Sequence, residues 1–391
     1  MNNFKKNKWQ SVPIHTPDRL AEISWFNDII GGDTDYLGVL DNTRRSNFQH
    51  CKDITLAAEA LGFNNILFPT AYTVGQEVIP FAAAIAPFTQ KINLLTAIRT
   101  GEVHPPTLAR SIANLDHILE GRLTINIINS DLPGYREDPV FRYERCAEII
   151  EILKQGWTQD RIFFQGKHYQ FDLPADPVKP YQQNGGPMLY FGGISEGSKE
   201  VCAQYCDVYL MWPETEELMY ATMKDMSERA GKYGRVIDFG LRIHVFVRET
   251  EAEARAHIRK MMSKFNEQKA LEIRSRGEDS RSLGVLRQDE LRKEADQDGF
   301  MEDILWTSIG KVFSGCGSAL VGSAEQVIEK INRYMDMGFR AFVFSGFPLI
   351  EEAQEFSKWV LPHIPRATLS QLYGRTPQDT PVTPLTTAVL S

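Results

Sequence analysis

The chain has 391 residues, 42% hydrophobic and 24% charged, as expected of a soluble globular protein with a sizeable core. Its net charge of −8 excludes the basic footprint of a nucleic-acid binder. Residues 1–17 carry lysines but lack the apolar core of a signal peptide, and no apolar run is long enough to span a membrane, so the cytoplasm is the expected location.

Residues 1–20 read as a polar arm. A short strand is expected at 22–26, followed by a Gly/Asp loop at 31–35. Residues 48–61 form a helix, because Cys51, Ile54, Ala57, Ala58 and Leu61 share one face and Gly62 ends it. Strands follow at 65–68, at 92–98 ending in Arg99, and at 123–128 ahead of Asn129 and Ser130. Helices are expected at 76–86, at 105–119 with a proline start and glycine stop, and at 143–157. Residues 163–171 read as a small hairpin. Strands at 188–191 and 207–211 bracket a helix to about 205, and 216–233 is helical. In the stretch 239–250, which reads as a strand, Leu241, Ile243, Val245 and Val247 alternate with Arg242, His244, Phe246 and Arg248, so the two sets face opposite sides. Residues 265–305 are charged with few aliphatic anchors, which suggests a mobile lid beside strand seven, or an ordinary solvated helix pair. A helix at 323–337, a strand at 340–344 and a helix at 350–361 close the domain at about 370. Residues 371–391 read as a polar tail.

Eight strands alternating with helices point to a parallel sheet closed on itself, an α/β fold of the TIM-like (β/α)8 barrel type with insertions spanning 21–370. The rival is an open doubly wound sheet. A barrel places its site at the carboxyl ends of the strands. Those ends carry Arg99, Asn129, Ser130, the turn Gly192-Gly193-Ile194-Ser195, Trp212, Arg242 with His244, and Ser345 to Phe347. Cationic, hydrogen-bonding and flat aromatic groups together suit a large planar ligand with an anionic tail.

The Gly192–Ser195 turn between a strand and a helix would bind a phosphate through its N–H groups, or is a plain tight turn with a serine cap. Arg242 and His244 are either site residues or a snorkelling arginine beside a hydrogen-bonded core histidine. The five cysteines are sparse and odd in number, and no His/Cys cluster has metal-ligand spacing, so neither a disulfide framework nor a metal site is expected. HExxH and GxSxG are absent, which argues against zinc and serine hydrolysis. Any chemistry then falls to a bound cofactor.

These segments, with 46–67, 94–122, Arg142-Tyr143, 209–212, 317–322 and 344–352, resemble the bacterial luciferase-like flavin monooxygenases, closest to the alkanesulfonate monooxygenases. The resemblance implies reduced FMN supplied by a separate NAD(P)H-dependent flavin reductase, O2 as co-substrate, and a homodimer or homotetramer. It implies oxygenation of a small anionic substrate, with an organosulfonate cleaved to sulfite and an aldehyde. It places Tyr143 and Ser195 at the FMN phosphate, and Trp212, Arg242 and His244 at the flavin and substrate. Arg99, Asn129 and Gly193 join the expected cofactor site, Phe347 the substrate pocket, and Arg242 and His244 the catalytic pair. Three departures stand out. The family's histidine after the first strand is replaced by Asn27-Asp28-Ile29-Ile30-Gly31-Gly32, its cysteine after the second by 70–75, and its late tyrosine by Phe347. The flavin half of the site is expected to be retained and the substrate half changed. The alternatives are a relative that uses F420 or a non-sulfonate substrate, and a flavin-binding protein without turnover.

Overall fold

The computed structural model describes residues 9–39, 41–71, 75–175, 178–277, 282–313 and 315–382. The start of the expected arm, residues 72–74 of the stretch replacing the family cysteine, residues 278–281 of the expected lid and the last nine of the tail lie outside these ranges. Strands and helices alternate in the order β1 (Glu22–Phe26), α1 (Phe48–Leu61), β2 (Asn65–Phe68), α2 (Val78–Ile85), β3 (Asn93–Arg99), α3 (Pro105–Ile118) and β4 (Leu123–Ile128). They continue as α4 (Pro139–Thr158), β5 (Met188–Phe191), α5 (Glu196–Tyr205), β6 (Val208–Met211), α6 (Glu216–Lys232), β7 (Asp238–Arg248) and α7 (Glu251–Met262). After α8 (Glu267–Gly277) and α9 (Leu283–Glu294) come α10 (Ala324–Met337), β8 (Phe339–Ser345) and α11 (Leu349–Trp359).

Every neighbouring pair from β1 to β8 is parallel, β7 pairs with both β6 and β8, and β8 pairs with β1. The sheet therefore closes into an eight-stranded barrel, and the open doubly wound alternative fails. Residues 161–165 and 170–174 form the expected hairpin, paired antiparallel.

Local features that differ from the sequence reading include the start of α4 and a further strand. The helix expected from Tyr143 starts at Pro139, because Asp138 caps it by accepting the Val140 N–H and the proline occupies a first-turn position that needs no donor. A strand at Ala319–Ser323 was not foreseen. It pairs parallel with the second half of β7, which is why β7 runs to 11 residues with both faces covered.

Inside the barrel, Leu67, Leu95, Ala97, Met188, Val208, Leu210, Ala341 and Val343 form a packed apolar cluster. Below it, Glu22 is a buried hub: its carboxylate accepts from Asn65 Nδ2 (2.9 Å), Tyr190 OH (2.6 Å) and the Leu369 N–H (3.0 Å). Segments near both ends of the described chain meet there. Thr16 donates twice to Asp238 at the start of β7, His15 stacks on Tyr373, and Arg375 bonds Asp207 and the Gly186 carbonyl. Among the described residues no helix is long and apolar enough to cross a membrane.

Candidate active site

A cavity of about 1050 Å3 opens at the carboxyl ends of the strands. Asn129, Tyr143, Gly193, Ser195, Trp212, Arg242, His244 and Phe347 all line it. Arg99 does not. It is buried behind the wall, where Nε donates to Ser130 Oγ (3.0 Å) and a terminal nitrogen to Glu102 (3.0 Å), so it supports Ser130, which does face the cavity.

One corner is built on the β5–α5 turn. Gly193 has φ of 125°, a backbone shape that disfavours any side chain, and a Cβ there would lie 2.8 Å from Ser198 Oγ. Tyr209 OH pins the Gly193 carbonyl at 2.7 Å. Ser195 caps α5 by accepting the Ser198 N–H, and its Oγ lies 2.6 Å from Tyr143 OH. Tyr143 reaches it because residue 197 is glycine: a Cβ there would sit 2.3 Å from the ring. Two hydroxyls thus converge on a helix N-terminus. Nearby, Asn129 Nδ2 and Arg142 Nε are buried polar atoms without partners. Hydroxyl donors, a helix dipole and orphaned nitrogens fit a phosphate, the anionic end of the expected cofactor. Trp212 supplies a flat wall, packed close to Gly284 of α9.

Across the cavity, the register that pairs Arg242 with Val343 and His244 with Ser345 turns both side chains inward with the inner cluster. Arg242 is 7% exposed, stacks over the Phe26 ring at 4.4 Å and makes one long bond to the Val343 carbonyl (3.4 Å). Burial draws its pKa below the ordinary guanidinium value, and the Cys316 thiol and Asp28 carboxyl pull it partly back. His244 Nε2 lies 3.1 Å from the Cys316 carbonyl, and Nδ1 lies 2.6 Å from Ser345 Oγ. A carbonyl only accepts, so Nε2 carries the hydrogen and Nδ1 accepts from the serine. Burial and the adjacent guanidinium hold the ring well below its ordinary pKa, hence neutral. Phe347 stacks on Phe313 at 4.7 Å and covers the His244 ring.

Several cavity residues were not singled out from sequence: Asp28, Asn126, Arg142, Arg287 and Gln288. Asp28 lies just past β1, so the strand-end rule that found Arg99 and Asn129 also reaches it. Arg287 and Gln288 come from α9, whose place over the cavity no local pattern encodes. Among the described residues no group of three or more His, Cys, Asp or Glu side chains is placed to hold a metal ion.

A closed parallel barrel with its cavity at the strand carboxyl ends is the architecture of a TIM-type enzyme. The chain belongs to the luciferase-like monooxygenase family, whose profile matches residues 34–341. It is 49% identical to a sulfoquinovose monooxygenase of Agrobacterium fabrum, over 96% of this chain and 98% of that protein. A sulfoquinovose monooxygenase of Novosphingobium aromaticivorans is 44% identical, over 90% of this chain and 98% of its own. The crystal structure of a long-chain alkane monooxygenase shares the fold, with a TM-score of 0.71 at 16% identity, over 94% of each chain.

Proposed function

We propose that this chain is the oxygenase of a two-component system that oxidises sulfoquinovose, a sugar bearing a sulfonate on carbon 6. A separate NAD(P)H-dependent reductase supplies reduced FMN. One oxygen atom of O2 goes to the carbon that carries sulfur and the other leaves as water, with reduced FMN providing the two electrons. The carbon–sulfur bond then breaks, sulfite departs and an aldehyde remains.

The observation that carries this reading is Arg242. Among the described residues it has no carboxylate partner at ion-pairing distance, although it is buried. A desolvated guanidinium in that position calls for an anion from the ligand, and its fork suits a sulfonate. The names of the two sequence relatives supply the sugar. Tyr143, Ser195, the Gly193 turn and Asn129 would hold the FMN phosphate, and Trp212 would flank the ring. Arg99 positions Ser130. Neutral His244 leaves Arg242 as the charge on its face of the cavity. For the imidazole to take a proton from substrate, the Ser345 hydroxyl must first turn away from Nδ1.

Purified chain, a flavin reductase, NADH, FMN and sulfoquinovose should together release one sulfite per sugar consumed, with matching O2 uptake and none under nitrogen. Turnover supported by reduced F420 but not reduced FMN, or absence of sulfite alongside oxidation of a non-sulfonate, would overturn the proposal.

A further inference from the structure

Four carboxylates line the cavity: Asp28, Asp131, Glu137 and Glu214. Three are neutralised by arginines, Asp131 by Arg142, Glu137 by Arg145 and Glu214 by Arg287. Asp28 is not. Among the described residues no cation lies within ion-pairing distance of it. Its Oδ1 accepts the N–H groups of Ile30 (3.1 Å) and Gly31 (2.7 Å), while among the described residues no donor engages Oδ2.

Arg242 lines the same cavity, also without a carboxylate partner, and feels Asp28 across the space. Burial pushes the Asp28 carboxyl above its ordinary pKa and the Arg242 guanidinium draws it partly back, so the two groups act on each other across the cavity without meeting. The Asp28 loop is fixed by backbone: Ser46 Oγ bonds the Asp28 carbonyl, and the Gln76 N–H bonds the Ile29 carbonyl at 3.0 Å. Gly75 lies so close that a Cβ there would sit 2.4 Å from Ile30 Cα. Arg242 is fixed from β7. A rigid gap between an unpaired cation and an unpaired carboxylate matches a ligand with an anion at one end and hydroxyl donors at the other.

We propose that Asp28 is the specificity residue of this site, accepting hydrogen bonds from hydroxyls of a polyhydroxylated substrate whose sulfonate Arg242 holds. This rests on the function proposed above and adds the residue that reads the sugar. An unsubstituted alkanesulfonate offers Asp28 only methylenes, leaving Oδ2 desolvated without a donor, which opposes binding.

The test compares Asp28→Asn and Asp28→Ala with the wild type on sulfoquinovose and on hexane-1-sulfonate, together with anaerobic titration of reduced FMN. Asn keeps an oxygen for the Ile30 and Gly31 N–H groups, so the loop should stay folded, which a thermal melt verifies. For sulfoquinovose, kcat/KM should fall by roughly tenfold to a hundredfold, mostly through KM. For hexane-1-sulfonate it should hold or rise, and FMN affinity should not change. Equal losses on both substrates, or weaker FMN binding with the substrate ratio unaltered, would overturn the assignment. If the wild type releases sulfite from hexane-1-sulfonate but not from sulfoquinovose, the hydroxyl-reading role falls while sulfonate oxygenation stands. If it releases sulfite from neither, the functional reading falls and takes the Asp28 role with it.

Discussion

His244 shows how a residue's chemistry is set by its surroundings rather than its type. Its unfolded pKa is about 6.5 and its folded pKa lies well below that, so below pH 6.5 the unfolded chain binds a proton that the folded chain refuses. The stability tied to the neutral ring is therefore complete above pH 6.5 and is lost as pH falls toward the folded pKa. His244→Gln should remove this dependence. Between pH 7.5 and 5.5 the wild type should lose stability more steeply than the variant, by up to about 1.4 kcal/mol per pH unit. Urea midpoints across that range check it, and parallel curves would refute the neutral tautomer. Tyr143 makes a different kind of prediction. Tyr143→Phe removes a hydroxyl 2.6 Å from Ser195 Oγ without altering the helix cap. Reduced FMN should then bind roughly tenfold to a hundredfold more weakly at unchanged melting temperature, a hydrogen bond to a charged group being worth roughly 1.5–3 kcal/mol. Titration under nitrogen reads it directly.

At the scale of elements, the barrel strands were legible as short, largely apolar runs bounded by turn residues, or in β7 as an apolar/polar alternation, with a helix-period segment after them. The strand at Ala319–Ser323 was not, since five residues between glycine-rich flanks and a serine helix cap carry too little pattern to separate strand from loop. The site was legible as strand ends but not as partnerships. Sequence placed Arg99 beside Asn129, yet the burial that sends Arg99 to Ser130 and Glu102 is tertiary, as is the ion pairing that leaves Asp28 the exception among the cavity carboxylates. The α8–α9 excursion shows the same limit. Its charge was plain in sequence, and the structure shows what that charge does. Arg274 and Arg292 both bond Asp289, Arg287 reaches Glu214, and Gln288 bridges the Pro213 carbonyl and the Gly317 N–H. Ala270, Gln288 and Leu291 are the side chains the two helices bury most fully, while Leu271, Leu283 and Leu286 stay exposed. Polar anchors of this kind release at lower cost than an apolar core, so we propose that these helices act as a lid that excludes water during turnover. Trypsin should cut within 267–294 faster than elsewhere in the barrel, and Arg274→Ala should speed it further. FMN with substrate should slow it; equal rates with and without ligands would leave α8 and α9 a fixed wall.

Taken as a whole molecule, the barrel separates its two ends. The cavity and its polar groups occupy the carboxyl end of the strands. The amino end is closed by the segments around Thr16 and 369–375, through Thr16, Tyr373, Arg375 and the Leu369 N–H on Glu22. Leu369 marks the division. Its side chain is fully buried within the inner cluster, against the same strands whose other ends carry Arg242 and the Gly193 turn. Leu369→Ala would leave a cavity in that cluster without touching the backbone N–H that satisfies Glu22. Large-to-small changes of this kind cost about 2–5 kcal/mol, a sizeable share of the 5–15 kcal/mol that holds a typical domain folded. The expected outcome is a clear fall in urea midpoint with KM for sulfoquinovose and affinity for reduced FMN unchanged below the transition, because the cavity is built at the opposite ends of the strands from this packing. Unfolding curves and steady-state kinetics on the same preparation decide it. A raised KM in Leu369→Ala would mean that the floor transmits strain through β5 to β8 into the site, and that the two ends of this barrel work as one unit.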